Sequence, residues 1–327
     1  MTVRARIAGT GSFVPARKLT NADLERMIDT SDEWIVSRCG IKERRVAGRG
    51  ESTSTLAHVA ATRALEMAGV APSRLQAIIV GTITPDTIFP ATACYLQQSL
   101  GCAHVAAFDV LAACSGFIYA CGIAKSFIES GQYDCVLAMG AEVLTSITDY
   151  QDRNTCILFG DGAGAAVIVP GNDSSGFLSM NLHCEFDDVG MMVLPAGGSR
   201  IPCSHESLRQ RKHYMNLKGR EIFKFAVLRM NQMLQHELET NNITMDDVKY
   251  IVPHQVNMRI LESAAQRFNI GMDKIYVNLD RYGNSSAASV PIALDEAVRE
   301  GKIQRGDLIL LVAFGGGKTW ASSLVRF

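Results

Sequence analysis

A chain that repeats one order of elements twice is confined to folds in which two copies of a unit pack together. This sequence carries three such repeats, in the same order in both halves. The run from Gly69 to Gly81 matches Asn242 to His254 at an offset of 173, each reading as a helix end, a turn and a strand. Phe159-Gly160-Asp161-Gly162 before the apolar run Ala165 to Val169 matches Phe314-Gly315-Gly316-Gly317 before Ser322 to Val325, each reading as a glycine hairpin and a final strand. Cys114 precedes Gly131 by 17 residues and Asn284 precedes Gly301 by 17, so each sits before a helix closed by a glycine. The chain therefore divides into residues 1–172 and 173–327, with the turn-rich stretch 171–176 at the junction. Strand-like runs (Ala77 to Val80, Val136 to Met139, Leu308 to Val312) alternate with helical stretches such as Thr55 to Met67 and Glu221 to Leu238. That alternation predicts an α/β fold with largely parallel central strands. If the halves pack about a pseudo-two-fold axis, the matching helix starts approach each other and bring Asn284 opposite Cys114.

Composition excludes several functions. A net charge of −1 argues against a general nucleic-acid binder. No apolar run approaches the roughly 20 residues that span a bilayer, and the first residues lack a secretory apolar core. The expectation is a cytoplasmic protein without membrane insertion. Nine cysteines form no C-x-x-C pair and seven histidines show no H-x-x-x-H spacing, so neither a disulfide framework nor a metal site is expected.

Cys114 stands where the β-prone run Phe108 to Val110 gives way to small residues and then to an apolar helix from Phe117. Most free cysteines are simply buried. A helix start, however, lowers a thiol pKa through unpaired N–H groups and the dipole, and Ala112, Ala113, Ser115 and Gly116 leave room for a substrate. His254 ends a strand of the second half, where open α/β sheets bind ligands. Taken alone, it reads as a structural histidine, and Asn284 reads as a helix cap. With the duplication, the three polar groups converge on one point.

Taken together, Thr30-Ser31-Asp32-Glu33-Trp34-Ile35, Ala112-Ala113-Cys114-Ser115-Gly116-Phe117, Phe159-Gly160-Asp161-Gly162-Ala163-Gly164-Ala165, Pro253-His254-Gln255, the small-residue run at Gly283-Asn284 and Phe314-Gly315-Gly316-Gly317 span nearly the whole chain. In that order they resemble the thiolase-superfamily condensing enzymes, most closely the β-ketoacyl-acyl carrier protein synthase III family. The resemblance implies a five-layer α-β-α-β-α fold and a Cys114, His254 and Asn284 catalytic set. It also implies an oxyanion hole from the N–H groups of Cys114 and Gly316. The reaction would be a decarboxylating condensation of an acyl-CoA primer with malonyl-acyl carrier protein, with the thioester as substrate and no cofactor. Trp34 and Arg153 would clamp the CoA adenine. Arg38, Gly219 and Asn257 would lie along the CoA entrance and tunnel, and Phe89 would cross a homodimer interface to cap the partner's acyl pocket. Lys224, Arg259 and Arg267 would attract the acidic carrier protein.

Two positions depart from the family pattern. Lys318 follows the glycine triplet where a hydrophobic residue is usual, and Cys39 follows Arg38 where threonine is usual. Gly160-Asp161-Gly162 superficially suggests a nucleotide loop, but a strand rather than a helix follows it. A Cys-His-Asn hydrolase would share the residue order but not the duplication, and a catalytically dead homologue would usually have lost the nucleophile. A synthase III-like enzyme of secondary metabolism is the remaining alternative.

Overall fold

The computed structural model describes residues 3–171 and 174–327. Ten strands form its two main sheets: β1 (Arg4–Phe13), β2 (Ala77–Gly81), β3 (Ala106–Val110), β4 (Val136–Glu142), β5 (Gly162–Gly171), β6 (Gly176–Phe177), β7 (Asn181–Cys184), β8 (Tyr250–Pro253), β9 (Leu308–Gly315) and β10 (Thr319–Arg326). The helices that position the site are α1 (Asp32–Cys39), α2 (Thr53–Ala68), α3 (Gly116–Glu129), α4 (Gly219–Asn241), α5 (Met258–Phe268) and α6 (Ser289–Arg299).

The first sheet runs β1-β5-β4-β2-β3 and the second β8-β9-β10-β6, with β7 also paired to β10. The parallel pair β2–β4 has its counterpart in β8–β9, and the antiparallel pair β4–β5 in β9–β10. β3 has only a trace in the second half, a single bridge between Ile251 and Ile275. Side chains alternate across each strand. Ala77 and Ile79 of β2, and Ile309, Leu311 and Ala313 of β9, face a shared central layer that holds α3 and α6. Ile78 and Val80 face outward to α2, while Leu310, Val312 and Phe314 face outward to α4 and α5. The result is five layers, α-β-α-β-α.

The offset of 173 survives in the backbone. α2 ends on the left-handed Gly69 and α4 on the left-handed Asn242, and each is followed by a turn and a parallel strand. The boundary expected at Asn172 and Asp173 lies outside the described residues.

Three sequence expectations need correction. The sheets are mixed rather than largely parallel. β9 returns directly as β10 through Gly316–Lys318, where Gly317 (φ 73°) and Lys318 (φ 48°) are both left-handed, and a direct reversal yields an antiparallel pair. The stretch before β5 is no hairpin, because residues 143–161 make an excursion containing the turn Leu144–Ile147 and the short helix Arg153–Cys156. Finally, Cys114 does not match Asn284. Ala113 and Ser286, 173 apart, share φ 48° and each opens a single 3-10 turn before α3 and α6. The residue matching Cys114 is therefore Ala287, and the equal spacing to the closing glycines arose because α6 is 11 residues long against 14 for α3. The turn at 286–288 rests directly on β4: a Cβ on Gly140 would lie 2.0 Å from the Ala287 carbonyl oxygen, so that strand position requires glycine.

Candidate active site

Although the equivalence was misread, Cys114, His254 and Asn284 line one buried cavity of about 20 Å³, with Gly315 and Gly316 beside them. That is room for about one water molecule. Its remaining walls are apolar, including Met192, Ile222, Phe225 and Val256.

Each group is held by local geometry. The His254 N–H donates to the Val312 carbonyl across the parallel pair (2.8 Å), and its Nδ1 lies 2.6 Å from Ser289 Oγ. This leaves Nε2 as the nitrogen available to the cavity. Burial holds the imidazole pKa down at about 3, so the ring is neutral at pH 7. Asn284 is clasped on both sides: its N–H donates to Leu158 O (2.9 Å), its carbonyl accepts from Gly160 N–H (3.0 Å), and its Oδ1 accepts from Ser286 N–H (2.8 Å). With Oδ1 occupied, the Nδ2 donor is the end left for a ligand.

Cys114 overturns the expected thiolate. Burial pushes its thiol up to about 12, and nearby Glu142 adds to the rise. The Ser286 hydroxyl and the N–H groups of Cys114 and Gly316 oppose it. Cys114 sits in the 3-10 turn ahead of α3 rather than at the helix end itself. A helix start contributes about 0.3–1 kcal/mol at exposed sites, less than the cost of stripping water from an anion. The site therefore holds a thiol, with the N–H groups of Cys114 and Gly316 beside its sulfur.

An outer cavity of about 710 Å³ shares Met192, Ile222, Val256 and Asn284 with the inner one. Trp34, Arg38, Gly219, Lys224, Asn257 and Arg259 line it. The Arg153 guanidinium stacks 4.1 Å from the Trp34 ring centroid, and Arg38 lies 5.3 Å from the same ring. Asn257 caps α5 through Oδ1 to Arg259 N–H (3.0 Å), and its Nδ2 donates to the Arg38 carbonyl (3.0 Å), so it ties α5 to α1. Arg267 is exposed on α5 and lines neither cavity. Phe89 is 84% exposed, also away from both cavities, with Ile88 and Leu111 similarly bare.

The two departures from the family pattern lie outside the inner cavity. Lys318 Nζ pairs with Asp188 (3.1 Å) and Glu185 (3.7 Å), which turns its charge away from the oxyanion turn. Cys39 is buried, lines the outer cavity, and donates its S–H to Ile35 O (3.1 Å). Asp161 of the glycine cluster is a buried clamp for Ala47 N–H (2.7 Å) and Thr145 N–H (2.9 Å). Sequence reasoning missed Glu142, Ser286 and Ser289. A lone carboxylate closing the apolar run 136–141 was the available signal for Glu142.

Comparison with known proteins places this geometry. Residues 108–185 match the family described as 3-oxoacyl-[acyl-carrier-protein (ACP)] synthase III, and residues 238–327 match its C-terminal family. The β-ketoacyl-[acyl-carrier-protein] synthase III of Caldanaerobacter subterraneus subsp. tengcongensis is 51% identical over 99% of this chain and 98% of its own length. That of Clostridioides difficile is 47% identical over 100% and 99%. The crystal structure of 3-oxoacyl-[acyl-carrier-protein] synthase III from Aquifex aeolicus superposes with a TM-score of 0.91 at 45% identity, covering 99% of this chain and 100% of that one. With the duplicated five-layer fold, this chain belongs to the β-ketoacyl-acyl carrier protein synthase III family of condensing acyltransferases, the enzymes of the initiating condensation in fatty acid synthesis.

Proposed function

We propose that Cys114 is the acylated nucleophile of a condensation between a short acyl-CoA, such as acetyl-CoA, and malonyl-acyl carrier protein. The supporting observation is that Cys114, His254, Asn284 and Gly316 line one buried cavity at the inner end of a larger one. CoA lies in the outer cavity, with its adenine held by Trp34 and Arg153 and its chain passing Arg38, Gly219 and Asn257. As the sulfur–acyl bond forms and the CoA–acyl bond breaks, the thiol proton passes to the departing CoA sulfur, while the Cys114 and Gly316 N–H groups hold the oxyanion and His254 keeps its Nε2–H as a donor for the next step.

Malonyl-acyl carrier protein then docks against Lys224, Arg259 and Arg267. Its carboxylate leaves as carbon dioxide, and the electron pair becomes an enolate whose oxygen faces His254 and Asn284. Donors aimed at charge that exists only in the transition state raise the rate rather than the binding. The enolate carbon attacks the acyl-cysteine, and the Cys114 sulfur leaves and regains a proton.

In this reading residues 1–172 carry the nucleophile and 173–327 the histidine and asparagine, no cofactor is required beyond the thioester substrate, and the enzyme works in the cytoplasm. The bare Phe89 caps the acyl pocket of a second copy, so the active species is a homodimer; a fully active monomer by light scattering at assay concentration would refute this. The nucleophile is tested by mixing the enzyme with acetyl-CoA and mapping the label by mass spectrometry. The acetyl group is expected on Cys114, and a label on Cys39 or Cys121 would overturn the assignment. A panel of acyl-CoAs in the same assay separates a short primer from the longer or unusual primers of secondary metabolism.

A further inference from the structure

One departure from the family pattern, Lys318, lies in the oxyanion turn itself. Its side chain is only 14% exposed and reaches away from the cavity to Asp188 Oδ1 (3.1 Å) and Glu185 Oε1 (3.7 Å). Its carbonyl accepts from the Glu185 N–H (3.1 Å), which extends the β7–β10 pairing by one bond before the chain leaves the sheet. From there residues 186–218 make an excursion that joins neither main sheet. Among the described residues its strand pairing is limited to Met192 and Val193 with Leu217 and Asn216. Phe186, Val189, Val193, Leu194 and Leu208 along it are exposed, so polar links carry much of its attachment. At the far end these are the Met215 N–H to Ile147 O (2.9 Å) and Arg211 Nε to Asp149 Oδ2 (2.9 Å). At the near end they are the contacts of Lys318.

The excursion supplies two walls of the inner cavity, Met191 and Met192. Met192 also lines the outer cavity and packs on Gly316, where a built Cβ would lie 3.2 Å from its Sδ. Other walls stand on firmer supports, Phe314 and Gly315 on β9 and Ile222 and Phe225 on α4. The two methionines are therefore the walls most free to yield, and methionine adapts its shape readily. The turn that presents them is closed by Asp187, whose Oδ2 accepts from the Met191 N–H (2.8 Å). The next residue, Asp188, is the one that Lys318 holds. Glu185 is secured in addition by the Arg229 guanidinium, so Asp188 is the link that the Lys318 ammonium adds.

We propose that Lys318 is a positioning residue: by holding Asp188 it fixes Met191 and Met192 across the inner cavity and so restricts the enzyme to a short acyl primer.

At about 20 Å³ the inner cavity leaves a primer little room, so each added methylene must displace a wall. The wall that yields first is the one fastened least. An ion pair of this exposure is worth a factor of about two to five, which is the discrimination that Lys318 adds.

This inference rests on Cys114 being the acylated nucleophile, so the test pairs a readout of the acyl-enzyme with one that does not involve it. Single-turnover acylation is measured with acetyl-CoA and butyryl-CoA for the full-length enzyme, K318M, K318R and D188N. The two primers share the CoA moiety, so their rate ratio cancels changes in CoA binding. The butyryl-to-acetyl ratio should rise about two- to fivefold in K318M and in D188N and stay near the wild-type value in K318R. In the wild type the same rise should appear between about 0.05 and 1 M salt, where the Debye length falls to about 3 Å, and it should be absent in D188N. The Asp188 side chain is 70% exposed, so D188N reads the contact without disturbing the core. An unchanged ratio in D188N overturns the proposal, and so does a rise in K318R equal to that in K318M. Hydrogen exchange of peptides covering residues 186–193 is followed in the same proteins without substrate. Exchange there should quicken by the same factor in K318M and D188N, with β8 and β9 unchanged, and unaltered protection refutes the fastening whatever Cys114 does. If neither primer acylates Cys114, the nucleophile assignment fails, and the exchange result alone decides whether Lys318 holds the segment.

Discussion

Replacing Gly315 with alanine isolates the contact between the oxyanion turn and the nucleophile. Gly315 has an ordinary extended backbone (φ −158°, ψ −176°), so alanine carries no conformational cost there. Space is the obstacle: the new Cβ would lie 2.6 Å from Cys114 N, 3.1 Å from Cys114 Cβ and 3.2 Å from Ala113 Cβ. Non-bonded heavy atoms settle at about 3.5–4.0 Å, so the end of β9 must retreat from the Cys114 turn by roughly 1 Å, carrying the Gly316 N–H with it. Overpacking of this kind costs about 1–3 kcal/mol of stability. A misplacement of about 1 Å at a reacting centre costs on the order of a hundredfold in rate. Gly317 is the internal contrast. It has nothing within 4 Å of a built Cβ but a left-handed φ of 73°, so Gly317→Ala should lose about 1–2 kcal/mol and keep most of its acyl transfer. The assay pairs thermal melting with single-turnover acetyl transfer from acetyl-CoA. Wild-type acetyl transfer by Gly315→Ala, or an equal loss in Gly317→Ala, would refute the reasoning.

Stability should respond to pH through two opposed groups. His254 is held at about 3 against an ordinary 6.5, so the unfolded chain binds a proton that the folded one resists, and up to about 4–5 kcal/mol is lost as pH falls from 6.5 to 3. Glu142 is raised to about 7 from 4.5, so its contribution of about 3 kcal/mol is present below 4.5 and lost as pH rises to 7. The two nearly cancel between 4.5 and 6.5, and Glu142→Gln should therefore make urea midpoints rise steeply with pH across that window; a flat profile in the variant contradicts the assignment. Trp34→Ala should raise KM for acetyl-CoA about tenfold with little change in kcat, the loss of one stacked cationic contact; an unchanged KM places the adenine elsewhere. Arg267→Glu should raise KM for malonyl-acyl carrier protein a few-fold at low salt, with the effect fading near 0.5 M as screening shortens the Debye length. Insensitivity at low salt would remove Arg267 from the docking face.

The duplication was legible because each half repeats the same helix end, turn and parallel strand, and these are written in local residues: Gly69 and Asn242 at left-handed helix ends, and apolar runs at β2 and β8. Strand direction was not legible, because β4 and β5 pair antiparallel after the long excursion through residues 143–161 just as β9 and β10 do after the direct turn at Gly317, so the connection leaves no mark of it in sequence. Counting from the closing glycines paired Cys114 with Asn284, whereas the left-handed Ala113 and Ser286 pair Cys114 with Ala287. Positive φ at alanine and serine leaves no mark in composition. The state of the thiol was misread for a related reason. A helix start is visible in sequence, but the desolvation that outweighs it comes from walls contributed by distant segments, such as Met192, Phe225 and Val256. Lys318 shows the converse, since its charge is absorbed by Asp188 and Glu185, 130 or more residues away.

The division of labour inside the cavity is tested most directly by Asn284→Ala, measured in both half-reactions: acetyl transfer from acetyl-CoA to the enzyme, and carbon dioxide release from malonyl-acyl carrier protein. The Asn284 Nδ2 donor is assigned to the enolate, and the Cys114 and Gly316 N–H groups to the acylation oxyanion. Removing one such donor costs on the order of a hundred- to a thousand-fold. Carbon dioxide release should therefore fall by about that factor, with acetyl transfer within about fivefold of wild type. Equal losses in the two steps would contradict the account.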